Sequence, residues 1–282
     1  MIKVVTFISL FALMGLYSPF GKIDLPSLGN SNTSSATQAA DKLWHGKKAA
    51  VVLTYDDAVD VQLDIAMPAL DSLGFKGSFY LTADFDGSKK RIQDWRKAAA
   101  NGHELGNHTL FHPCDASKPG RSWVSPQNDL HKYTTDQIVK EIEMTNVYLE
   151  AIDGKKERTF AYTCGDTETG EGSFIDKIKG QFVSMRGVRG QVNKLETLDL
   201  NNIDCFVIDN NNANQLVTWA EKARDEHGMM VVLFHGVGGG HSINTDRKKH
   251  NDFLKYLKSH PDDFWVTTLL EASKHCIQQA KK

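Results

Sequence analysis

The sequence predicts an α/β fold whose largely parallel sheet closes as a (β/α) barrel. Three observations point that way. Short apolar, β-prone runs alternate with segments of helical periodicity along most of the chain. About seven such units share about 240 residues, which suits a closed barrel better than an open doubly wound sheet. No glycine-rich dinucleotide fingerprint follows the first strand.

Residues 49–55 are a short apolar strand. Leu63, Met67, Leu70 and Leu73 follow at helical spacing, with Gly74 in the C′ position and Pro68 as a kink. Residues 76–81 read as a strand and 91–100 as a helix stopped by Asn101-Gly102. Residues 103–107 give the next strand. Thr134 and Gln137 form a capping box ahead of Ile138, Ile142, Thr145, Leu149 and Ile152, and Gly154 ends that helix. Residues 158–162, 181–185 and 205–208 are further strand candidates. Asn214 is a cap for a helix that runs through His227 and stops at Gly228. Met229–Phe234 is an unbroken apolar strand, and 246–259 and the segment from Phe264 complete the alternation.

The N-terminus differs from this. Lys3 is followed by an uncharged apolar run over residues 4–20. Residues 1–21 read as a signal peptide or, if uncleaved, a membrane anchor. Residues 22–40 are a polar linker, and 41–282 are the folded domain. The chain is therefore expected to be exported: periplasmic, extracellular or cell-surface. The 282 residues are 40% hydrophobic and 24% charged, a globular balance, with a formal net charge of −2. No basic block is long enough to follow a phosphate backbone, so nucleic acid is not an expected partner. No protein partner is inferred either.

The polar candidates fall at strand ends. Asp56-Asp57 ends the first strand, His108 and His112 follow the third, Cys164-Gly165-Asp166 follows the fourth, and His235 follows the apolar late strand. In a parallel barrel these ends open on one face, where active sites form. One carboxylate plus two imidazoles suits a catalytic divalent metal with open positions. A second carboxylate can then take a proton from the activated water. Each signal alone has a plain alternative: a turn or helix cap for the aspartates, surface or core histidines for the pair. Their joint placement favours a hydrolase.

The joint pattern resembles the polysaccharide deacetylases, the NodB-type domain of carbohydrate esterase family four. Thr54-Tyr55-Asp56-Asp57-Ala58 is similar to that family's first motif, His108-Thr109-Leu110-Phe111-His112 to its second, and Leu233-Phe234-His235 to its last. The similarity runs in order over residues 48–277. It implies a distorted (β/α) barrel of seven or eight mainly parallel strands. It also implies a divalent metal, zinc by family habit, on Asp57, His108 and His112. Asp56 would be the base and His235 the acid. Cys164 would offer a backbone N–H to the oxyanion, with Tyr162 and Asp166 beside it in substrate binding. The substrate would be an acetylated carbohydrate, as an N-acetyl amide or an O-acetyl ester.

The match departs in two places. The family's third motif carries an arginine that orients the base, and Ala161 stands where it is expected. Arg186 is a candidate replacement, and its absence from the motif tilts the reading toward esters. The family's fourth motif is not recognisable, leaving Asp204 or Asp209 to brace His235. His103 is a candidate for orienting a metal ligand, or a core histidine. His241, after Gly236-Val-Gly-Gly-Gly240, reads as an exposed loop residue within reach of substrate. Trp123 and Tyr133, in the insertion 114–133, read as sugar-stacking residues or as loop packing. Cys114 and Cys164 lie on loops of the same face and are expected to form a disulfide. Two other functions stay open: a sugar-binding protein on a weakened enzyme scaffold, and a metal-dependent phosphoesterase or amidase. Phosphate chemistry would want more cationic groups than this face supplies.

Overall fold

The computed structural model describes residues 43–281. The signal or anchor segment 1–21 and the linker 22–40 lie outside the described residues. In chain order the strands are β1 (Ala49–Asp56), β2 (Ser78–Leu81), β3 (Glu104–Asn107), β4 (Phe160–Ala161), β5 (Glu168–Thr169), β6 (Gly172–Ser173), β7 (Met185–Arg186), β8 (Phe206–Val207), β9 (Met229–Phe234), β10 (Gly236–Val237), β11 (Asn244–Thr245) and β12 (Phe264–Thr267).

The main sheet runs β7-β4-β3-β2-β1-β9-β8 with every pair parallel, and β12 adds to β1. Its seven strands curl into a half-barrel. Main-chain bonds link the two edges: Ile203 N–H donates to Met185 O and Gly187 N–H to Ile203 O, both at 2.8 Å, and the 200–205 segment continues into β8. This is the distorted (β/α) barrel of the sequence reading.

Strand alternation decides what faces the barrel axis. Every residue of β1 is buried, as expected for a strand covered on both faces. Ala49, Val51, Leu53 and Tyr55 pack outward with the helices. Ala50 and Val52 pack inward with Tyr80, Ile203 and Leu233. With a period of two, Thr54 and Asp56 share the inward face, so Asp56 sits at the C-terminal mouth of the barrel.

Most helix limits agree with the sequence reading. Thr134 accepts from Gln137 N–H and caps helix Thr135–Asp153, which closes on Gly154 in the left-handed conformation. Two limits need correction. Asn212, not Asn214, caps helix Ala213–Asp225 by accepting from Gln215 N–H. His227, at φ 52°, makes the left-handed turn after that helix, so Gly228 is not the stop. Pro68 stands where a π-helical turn, Gln62–Ala66, passes into helix Met67–Ser72. A proline lacks the N–H that an interior position would need, and the junction spares it that bond. Helix Asp86–Lys90 and the β5–β6 hairpin were not expected.

Candidate active site

Asp57 leaves β1 with φ 77°, and Ala58, Thr109, His112 and Cys164 are also left-handed. Non-glycine residues take this region at a cost, and such residues cluster where geometry matters. Here they turn the chain back at the barrel mouth. The Asn107 side chain steadies one turn, accepting from Thr109 N–H and donating to Ile142 O.

Asp57 Oδ1 lies 3.6 Å from His108 Nε2 and 3.4 Å from His112 Nε2. It is buried and without a hydrogen-bond partner. The ligand atoms of Asp57, His108 and His112 all lie within 4.8 Å of one another. An orphaned carboxylate oxygen facing two imidazole nitrogens fits a divalent metal of the zinc kind. His108 Nδ1 is 2.8 Å from Ala161 O. Donation to that carbonyl leaves the Nε2 lone pair free for a metal. A second cluster, His112 with Cys114 and Cys164, is not available because the two cysteines form the expected disulfide.

Asp56 Oδ2 also lies 3.6 Å from His108 Nε2, but its carboxylate is engaged on the other side. Its carboxylate accepts from Arg186 Nη2 at 2.7 and 2.5 Å, and both side chains are buried. Arg186 lies on β7 directly beside Ala161 on β4. The cation missing from one strand is thus supplied by its neighbour. Tyr80 lies against the guanidinium, 5.0 Å from its ring centre. Gly106 makes room for that ring, since a Cβ there would come within 2.4 Å of it. Burial works against the Arg186 charge, but Asp56, Cys205 and Tyr80 together outweigh it and raise the guanidinium pKa.

His235 completes the group, with Nε2 3.8 Å from Asp57 Oδ2. Burial lowers its pKa, against the pull of Asp57 and Asp56. Burial also pushes His108 down to about 4. On Asp57, burial alone would raise the pKa, yet His112, His108, His235 and His241 together hold it below the usual carboxylate range.

One contributor escaped the sequence reading, and a second was read there only as an exposed loop residue within reach of substrate. Gln62, fully buried on the π-helical turn, donates from Nε2 to the main-chain oxygens of Asp56 and His235 at 2.5 and 3.1 Å. It ties the strand end bearing one aspartate to the strand end bearing the late histidine. His241 is not a free loop residue: its Nε2 is 3.5 Å from Asp57 Oδ2.

The site opens into a cavity of about 540 Å³ with Phe85, Trp123, Val188, Val207 and Ile243 in its walls. Tyr162 and Cys164 also line it. The Tyr162 hydroxyl points elsewhere, donating to Asn201 O at 2.8 Å. Three expectations need correction. Asp166 does not face the cavity: it accepts from Asp115 N–H and pairs with Lys118 and Arg121, so it clamps the insertion loop. Of the two readings of His103 the core histidine holds and the ligand-orienting one does not: it is buried at the opposite end of β3 from His108, bonded to Gly77 N–H and Asp71. Asp204 pairs with Arg189. His235 Nδ1 is buried without a partner, so neither Asp204 nor Asp209 braces it. Tyr133 is buried in a core cluster, whereas Trp123 is exposed at the cavity rim.

The family model for polysaccharide deacetylase matches residues 45–171. A stretch of 103 residues is 29% identical to the uncharacterized protein YlxY of Bacillus subtilis, covering 36% of this chain and 27% of that one. The chain spans no more than 27% of the length of the curated relatives it matches. A putative polysaccharide deacetylase structure from Mycobacterium smegmatis superposes with a TM-score of 0.57 at 14% identity, over 83% of this chain and 92% of that one. A mutant of BA3943, described as a CE4 family pseudoenzyme with restored enzymatic activity, superposes with a TM-score of 0.50 at 18% identity, over 80% and 68%. These likenesses carry the fold.

Proposed function

Given that the chain carries a NodB-type polysaccharide deacetylase domain, we propose that it is a metal-dependent hydrolase that removes acetyl groups from a carbohydrate outside the cytoplasm. The observation that carries this reading is the division of labour between neighbouring aspartates. Asp57 faces two imidazoles, while Asp56 is held by Arg186.

Asp57, His108 and His112 would hold the metal, zinc by its donor set. Bound there, it supplies a lowered pKa for water and a Lewis acid for the acetyl carbonyl. Asp56 takes the proton of the attacking water, and Arg186 keeps its carboxylate aimed. His235 donates a proton to the departing amine or alcohol. The backbone N–H of Cys164, in the cavity wall, is the donor offered to the carbonyl oxygen as charge develops on it. The apolar walls exclude water and leave a neutral sugar as the natural occupant. The tilt toward esters rested on a missing arginine; with Arg186 against Asp56 that ground is gone, and amide and ester stand level.

The test is acetate release by the zinc-loaded chain from N-acetyl chitooligosaccharides and from acetylated xylan, each with and without chelator. Chelator-sensitive release from either supports the reading. A second reading, a sugar-binding protein on this fold, draws on the unbraced His235. Glycan binding without acetate release, unchanged by removing metal, would favour it.

A further inference from the structure

His235 Nδ1 is buried and lacks the carboxylate that would ordinarily fix an acid–base imidazole. Something else must hold its plane. The His241 ring lies over it, with centroids 4.8 Å apart and an interplanar angle of 14°. Offset stacks of this spacing are favourable for aromatic rings.

His241 is itself held. Its Nδ1 lies 3.0 Å from Ile243 N and 3.2 Å from Ile243 O, so the main chain two residues on grips the ring. The loop that carries it is built for the return over His235. β10 and β11 pair at its base, and Gly239 N–H donates to Asn244 Oδ1. Gly240, at φ 82°, passes so close to Val59 and Val61 that a Cβ would lie about 2.9 Å from both. Only glycine meets both demands, of conformation and of space.

We propose that His241 is a positioning residue: its ring, fixed by the glycine loop, holds the plane of His235 in place of a carboxylate at Nδ1. The inference rests on the reading of His235 as the acid. It adds a residue that the sequence motifs do not contain.

The test compares His241→Ala, His241→Phe and His241→Gln in the full chain. Acetate release gives kcat and KM, and ¹³C-histidine NMR follows the His235 ring in the same proteins. His241→Ala should lower kcat about 10- to 100-fold while KM and bound metal change little. Its His235 signal should broaden or split. His241→Phe, which keeps the stack and loses the N–H, should recover most of kcat and a single sharp signal. His241→Gln, which keeps a donor and loses the stack, should recover neither. Recovery by Gln rather than Phe, loss of metal in His241→Ala, or an unaltered kcat and His235 signal in that variant would each overturn the proposal. If the parent chain releases no acetate, the deacetylase reading fails separately. The NMR comparison then still decides whether His241 fixes His235.

Discussion

Replacing Arg186 by methionine removes a buried cation and leaves a buried carboxylate. The two bonds to Asp56, at 2.7 and 2.5 Å, lie between side chains that are 0% and 3% exposed. At an effective dielectric of about 20, unit charges about 4 Å apart attract by about 4 kcal/mol. Breaking a buried pair on one side costs about 3–5 kcal/mol, because the remaining charge has lost its compensation. With a urea slope of about 3 kcal/mol/M, the unfolding midpoint of Arg186→Met should fall by about 1–2 M. Turnover should fall at least about 100-fold as the base loses its orientation. Asp56→Asn leaves the opposite charge stranded, so it too should lose stability, although it keeps its metal. The double variant should then lose less than the sum of the two, by about 2 kcal/mol. The assays are urea unfolding of the metal-free chain and acetate release by the loaded one. An Arg186→Met protein within about 1 kcal/mol of the parent, with turnover within about twofold, would refute the idea that this pair holds the base.

Asp57→Ala and His108→Ala should lose metal and activity together, as read by metal analysis beside acetate release. Replacing Cys114 and Cys164 by serine opens a link across a sequence separation of 50, and should lower the unfolding free energy by about 2–4 kcal/mol. Gln62→Leu strips the amide donor from the Asp56 and His235 carbonyls and should cost about 1–3 kcal/mol, with a drop in kcat. Burial lowers His250 and, in the metal-free chain, His108 to about 4. The unfolded chain therefore binds more protons below about pH 6.5, and stability present above that pH is lost as pH falls toward 4. Each histidine accounts for roughly 3 kcal/mol across that window, measurable by unfolding at stepped pH.

The strands that carry the site were legible where the sheet buries both faces, because unbroken apolar runs such as β1 and β9 have few other uses. Their polar ends then marked the mouth of the barrel. Arg186 was visible only as a candidate, since its strand is two residues long and shows no alternation. The β5–β6 hairpin is equally short. Gln62 was out of reach, and His241 was legible only as a loop residue near substrate, for a different reason. Gln62 arrives by a π-helical turn and His241 by a run of left-handed glycines. Both depend on backbone paths that hydrophobic periodicity does not encode. His103 misled because it lies five residues from His108, a spacing that suggests proximity, whereas an extended strand carries the two to opposite ends of the sheet.

Trp123 has an optical consequence. It is 62% exposed, whereas Trp44 and Trp95 are 1% and 0% exposed, and Trp219 and Trp265 are half-buried. A collisional quencher such as iodide would therefore reach its indole before the others. It also stands in the cavity wall. A sugar entering the cavity shields that one fluorophore, and the recovered emission gives a binding isotherm without label, acetyl group or turnover.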